Sequence, residues 1–219
     1  GWGVLPIVLA FAQFPSFELF TLAAMLLVTW ATMRFAEQMN WRRMGLLILT
    51  VTIALHTDWT AYLYVGLVGV AALLVVAFWP GQQLARMAWR RILQALCLSA
   101  AVVIATLLAY VLFFRQAGLL QDWLGSAEIR ARGNELPFHT VVQHRRYWIE
   151  VMFTKPGIAI GFLGAILMTV RLVRLRRFSD LYPVLILLVA AVHYVHFKNG
   201  ADVHIYWPLP FAAQFCFGL

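Results

Sequence analysis

The sequence predicts an all-α fold: a polytopic bundle of transmembrane helices with about seven or eight membrane segments. Three observations carry that expectation. Apolar residues make up 63% of the 219 residues and charged residues 12%, against about 45–50% and 25% in a soluble domain. Uncharged apolar runs approach or exceed the ~20 residues that a bilayer requires. The charges gather in short clusters between those runs, and alternate clusters differ in their balance of sign.

In order along the chain, the apolar segments are 2–14, 17–33, 44–55, 59–79, 92–114, 156–170, 181–197 and 208–219. Together they make one transmembrane domain over residues 1–219. Cys97 and Cys216 both sit inside apolar runs, which indicates neither a disulfide framework nor a metal site. The chain opens on Gly1 without a secretory n-region and stops at Leu219 inside an apolar stretch. We therefore expect an internal piece of a longer protein.

The loops 34–43, 80–91 and 171–180 carry ten arginines against Glu37 and Asp180, a balance of +8. The remaining cations, Arg115, Arg130, Arg132, Arg145, Arg146, Lys155 and Lys198, meet seven acids, so the other side balances to zero. The positive-inside rule places the arginine-rich loops in the cytoplasm, and residues 115–155 and 198–207 outside. The formal charge of +8 therefore reflects topology and does not point to nucleic acid. All six histidines fall on or near the outer side, and the chemistry is expected there.

Segment lengths refine the picture. Between Arg91 and Arg115 lie 23 uncharged residues, about 35 Å of helix and ample for a ~30 Å core. Arg43 to Asp58 encloses 14, while Glu18 to Arg34 and Lys155 to Arg171 enclose 15 each, only about 21–23 Å. Arginine stems can snorkel to the headgroups; short carboxylates cannot. A charge at the bilayer centre costs about 2.5–3.5 kcal/mol on insertion scales. Glu18, Asp58 and Lys155 are therefore expected below the outer membrane plane, in a water-filled recess, with local bilayer thinning as the alternative.

Three stretches carry candidate site residues. The outer turn His56-Thr57-Asp58-Trp59 offers Thr57 or Asp58 as an N-cap for the next helix, with Trp59 and Tyr62 in an interfacial aromatic belt. Alternatively, Asp58 is a carboxylate at the recess floor that accepts hydrogen bonds from a sugar hydroxyl. The long outer loop 115–155 opens with an amphipathic piece, 118–124, suited to the membrane surface. It continues through Arg130, Arg132, His139, His144, Arg145 and Arg146, interleaved with Phe138, Tyr147 and Trp148. Guanidinium forks match phosphate oxygens, although Glu128, Glu135 and Glu150 can pair with the same arginines.

The third stretch runs from His193 to Pro208. His193 and His196 stand three apart on one face of a helix end, and Asn199-Gly200 reads as a turn. Asp202, His204 and Tyr206 recur at every second residue before Pro208 opens another helix. A divalent metal is one option for His193, His196, Asp202 and His204, but no zinc spacing such as H-E-x-x-H is present. Histidines that only stabilise the helix end are a second option, and a cation-rich phosphate site is a third.

At Phe197-Lys198-Asn199-Gly200-Ala201-Asp202-Val203-His204-Ile205-Tyr206-Trp207, ahead of a Pro-containing helix, the chain resembles bacterial C-type (GT-C) glycosyltransferases. These are relatives of protein O-mannosyltransferases and aminoarabinose transferases. The Asp58-Trp59 turn and the long outer loop with spaced arginines fit the same group. The resemblance implies a polyprenyl-phosphate sugar as donor, drawn from the lipids of a bacterial inner membrane, and an inverting transfer on its outer face. It implies donor-phosphate contacts from Arg130, Arg132, Lys198 and His204. Asp58, Asp202 and Tyr206 would hold or orient the sugar, with Trp59 and Trp207 framing it. In that family the catalytic carboxylate sits in the first outer loop near the N-terminus, a loop not included in these residues, so the general base stays unnamed. Two other classes remain open: a transporter or flippase for a lipid-linked anion, and a non-catalytic membrane subunit whose outer loop binds a partner. Transporters usually show internal repeats and interrupted midplane helices, and no convincing repeat is found here.

Overall fold

A computed structural model describes residues 17–78, 86–132, 137–175, 181–196 and 211. Among them there are helices and no strands. The helices are α1 (Phe17–Glu37), α2 (Trp41–Leu55), α3 (Trp59–Phe78), α4 (Arg86–Gln116), α5 (Leu120–Arg132), α6 (Phe138–Phe153), α7 (Lys155–Leu175) and α8 (Leu181–His196). Three stretches are long and apolar enough to cross a membrane: Leu19–Glu37, Arg90–Gln116 and Lys155–Arg174. Trp59–Leu74 and Leu181–His196 are apolar but shorter. The expected segment 2–14, and 208–219 apart from Phe211, lie outside the described residues.

Charge spacing understates helix length at two places. α1 runs through Arg34 to Glu37 and α7 through Arg171 and Arg174 to Leu175, 21 residues each and about 31 Å. Arginine stems lie along the apolar surface of a helix end, so the helix need not stop at the charge. Lys155, placed at the head of a full-length helix, has no need to sink into the bilayer. α2, with 15 residues and about 22 Å, does remain short.

The chain divides into two compact units. In the first, Phe20–Gln116, α2 packs against α3 and α4, and α3 against α4. α1 buries Thr21, Met25, Val28, Thr32 and Phe35 at helical spacing while Phe20, Leu27 and Trp30 stay exposed. A helix apolar on its uncovered face suits lipid. Thr29 and Thr32 donate to the carbonyls of Met25 and Val28 at 2.9 and 2.7 Å, which satisfies their hydroxyls within the helix. Asn40 caps α2 by accepting from the Arg43 N–H at 3.0 Å. Glu37 joins the helix ends by accepting from Arg34 Nη1 and Arg43 Nη1, each at 3.0 Å.

α2 and α4 run parallel. At one end the Arg91 guanidinium lies 4.5 Å above the Trp41 ring; at the other the His56 and Tyr110 rings are 5.9 Å apart. The arginine-rich starts of both helices therefore share one end of the unit, and the 56–58 turn lies at the opposite end.

In the second unit, α7 packs against α6 and α8. Its buried positions are small, Gly161, Gly164 and Ala165, which allows close helix approach, while Phe162, Leu163, Ile166 and Leu167 are exposed. α8 buries Tyr182, Leu185, Ile186, Val189, Ala190 and His193. Residues 115–155, expected as a loop, are largely the helices α5 and α6. Their charges hide them from a hydropathy reading, and only the apolar spacing of Phe138, Val141, Ile149 and Met152 betrays α6.

Candidate functional site

The 56–58 turn closes one helix and opens the next. Thr57 donates its hydroxyl to Ala54 O at 2.7 Å, and His56 Nδ1 lies 2.8 Å from Thr52 O. Asp58 caps α3: Oδ1 accepts from the Trp59 N–H at 2.7 Å and Oδ2 from the Thr60 hydroxyl at 2.9 Å. Its carbonyl accepts from the Ala61 N–H at 3.1 Å. Of the two expected caps, Asp58 takes the role and Thr57 terminates α2. Asp58 and Trp59 are both half-buried, beside the polar aromatic edge made by His56 and Tyr110. The Tyr62 hydroxyl oxygen is buried without a hydrogen-bond partner among the described residues. Sequence reasoning did not single out Tyr110; its place five residues before Arg115, at the end of a long apolar run, was the available signal.

In the second unit, Arg130 and Arg132 belong to the last turn of α5; their side chains lie outside what is described. Lys198, Asp202, His204, Tyr206 and Trp207 also lie outside the described residues, as does the side chain of Glu18. Residues next to several of them in the sequence are described. Phe138, at the start of α6, meets Tyr194 of α8 edge to face with centroids 6.0 Å apart. Tyr194 in turn meets Phe211 at 6.0 Å. The chain that leaves α8 at His196 thus returns to α8 at Phe211. His193 is buried and His196 exposed, so the two histidines expected to share a face have different surroundings. Among the described residues no group of three or more His, Cys, Asp or Glu is placed to hold a metal ion.

The corner between α6 and α7 was not singled out in the sequence. Thr154 joins them at φ 60° and ψ 150°, and among the described residues it is the non-glycine with positive φ. A β-branched residue there is strained. It also caps α7, because its Oγ1 accepts from the Gly157 N–H at 3.2 Å and its carbonyl from the Ile158 N–H at 3.0 Å. Pro156, just inside the helix start, was the signal for that cap. Glu150 spans the corner by accepting from Arg146 Nε at 2.7 Å and pairing with Lys155 Nζ at 3.4 Å. The Arg146 hydrogen bond, with Lys155 adding to it, holds the Glu150 carboxyl below the usual glutamate range. Lys155 itself is exposed. Glu150 thus pairs with an arginine as expected, while Arg145 turns a buried Nε inward with no hydrogen-bond partner among the described residues.

Protein-family models, curated proteins and solved structures were each compared with the chain, and none matches.

Proposed function

We propose that the chain belongs to the membrane domain of a glycosyltransferase that takes a sugar from a polyprenyl-phosphate-linked donor. In this reading transfer occurs on the outer face of a bacterial inner membrane, and the shorter helices join the three long ones in a bundle of seven or eight segments. The contact of Phe138 with Tyr194 is the observation that carries it. Arg132 precedes Phe138 by six residues and Lys198 follows Tyr194 by four, so this contact joins the two chain segments that carry Arg130, Arg132, Lys198 and His204. Three cations and a histidine, with aromatics nearby in the sequence, suit a prenyl phosphate, whose charge needs donors at headgroup depth and whose chain needs lipid.

In the other unit, arginine-rich ends lie together and the Asp58 turn lies opposite, which supports an outward position for that carboxylate. Asp202 and Tyr206 are proposed sugar contacts of the second unit, with Trp207 as a wall; Asp58, beside Trp59, is proposed separately as a carboxylate that orients a sugar.

A transfer assay with a polyprenyl-phosphate sugar tests the proposal in the full-length protein, comparing Arg130→Ala, Arg132→Ala, Lys198→Ala and His204→Ala at subsaturating donor. Loss of one hydrogen bond to a charged group, about 1.5–3 kcal/mol, predicts a roughly tenfold to hundredfold drop. Unchanged activity in all four overturns the phosphate site. Absence of any transfer by the unsubstituted protein, across prenyl-phosphate sugars, overturns the enzyme.

A further inference from the structure

α6 is amphipathic twice over. Val141, Met152 and Phe153 are buried on its inner side. Its outer side divides again. At about 100° per residue, Tyr147, Val151 and Trp148 fall within an arc of about 100°, and they are 68%, 47% and 41% exposed. The rings of Tyr147 and Trp148 pack edge to face at 5.5 Å and so form one aromatic surface. His139, Gln143, Arg146 and Glu150 occupy the adjoining polar arc, with Arg146 and Glu150 paired to each other. His144 sits between the apolar positions, nearer the start of the helix.

The corner at Thr154 fixes where that surface must be. One residue separates α6 from Lys155, where a stretch long and apolar enough to cross a membrane begins. Trp148 and Val151 are therefore within about 11 Å of the head of α7, measured along α6 at 1.5 Å per residue. The cap at Thr154 and the Arg146–Glu150–Lys155 bridge lie at the corner between the two helices.

We infer that α6 is an interfacial helix, seated in the headgroup layer where α7 enters the membrane, with Tyr147, Trp148 and Val151 at the acyl boundary and the His139–Gln143 edge in water. Tyr and Trp beside an aliphatic residue are what that boundary favours. The occupant of the patch is lipid. The inference rests on α7 being a membrane span and not on the proposed transfer activity.

Site-directed spin labelling of the full chain in proteoliposomes tests it, with Cys97 and Cys216 replaced by serine. Labels are placed by Tyr147→Cys, Trp148→Cys and Val151→Cys, by His139→Cys and Gln143→Cys, and by Phe162→Cys within α7. Molecular oxygen should relax the first three, and Phe162→Cys, several-fold more than a water-soluble nickel chelate does. The order should reverse at 139 and 143. A second measurement avoids new cysteines: lipids brominated near the carbonyl should quench a component of tryptophan emission that Trp148→Phe removes. Nickel access at 147, 148 and 151 overturns the inference. Shielding from both reagents also overturns it, since a protein surface then covers the patch. Nickel access at 162 overturns the span on which it rests, while leaving the activity assay to decide the proposed function separately.

Discussion

Tyr64 of α3 donates its hydroxyl hydrogen to Thr29 of α1. The direction follows from the single hydrogen on Thr29, which is directed to Met25 O at 2.9 Å, leaving Thr29 Oγ1 as acceptor. Tyr64 is 0% exposed, so no water can replace this partner. Thr29→Val, which orphans a buried hydroxyl, should cost about 1–3 kcal/mol, and Tyr64→Phe about 0.5–1.5 kcal/mol because Thr29 keeps its bond to Met25. Denaturant unfolding in mild detergent measures both. A larger loss for Tyr64→Phe than for Thr29→Val would contradict the assigned direction.

Thr154 makes the opposite kind of prediction. Its backbone region is one that glycine occupies freely, and strain there amounts to about 1–3 kcal/mol, while a glycine cap costs only a few tenths relative to Thr. Thr154→Gly should therefore stabilise the protein. Thr154→Val keeps the β-branch and loses the cap, and should destabilise it. Thermal unfolding ranks the three, and Thr154→Val at or above Thr154→Gly would remove the case for strain.

The Glu150 bridge has a pH signature. Its carboxyl is held below the ordinary value of 4.5 by Arg146 first and Lys155 after it, so the contact is fully present above that value. It is lost as pH falls through the lowered one. Protection factors at the C-terminal amides of α6, which allow for the intrinsic slowing of exchange in acid, should fall on the acid side of 4.5 and with high salt, since the bridge is exposed to screening. Glu150→Gln should show the lower protection at neutral pH and no acid step.

Asp58 has one demonstrated role and one proposed role, and two substitutions separate them. Asp58→Ala removes the cap on α3 and should cost about 0.5–2 kcal/mol, whereas Asn caps as well as Asp. Under the proposed transfer, Asp58→Asn should lose activity at unchanged melting temperature. Full activity in Asp58→Asn leaves Asp58 as a cap alone.

Topology can be read from intact cells. Cysteine in place of Arg174 should be shielded from an impermeant thiol reagent, while cysteine in place of His139 should react. The reverse pattern would invert the orientation.

How much of this was legible in the sequence differs between residues. The Asp58 cap, the starts of α3 and α8, and the Arg146–Glu150 pair follow from local rules about helix ends and i,i+4 neighbours. The ends of α1 and α7 did not, because the charges of Arg34 and Arg171 mask a helix that continues beneath their aliphatic stems. α5 and α6 were hidden by their own polarity. The parallel course of α2 and α4 depends on Trp41 meeting Arg91 and His56 meeting Tyr110, contacts separated by about fifty residues of chain, and no spacing rule reaches that far. The proposed phosphate site divides likewise: Phe138 and Tyr194 gain meaning only once they touch.

The parallel pair α2 and α4 also gives the first unit a step in height. α4 has 31 residues, about 46 Å, beside an α2 of about 22 Å. The contacts of Trp41 with Arg91 and of His56 with Tyr110 hold the two in register, so part of the excess lies at each end. Past the 56–58 turn α4 runs on from Tyr110 to Gln116, about 9 Å, and gives the turn a helical wall on one side that α2 itself does not reach.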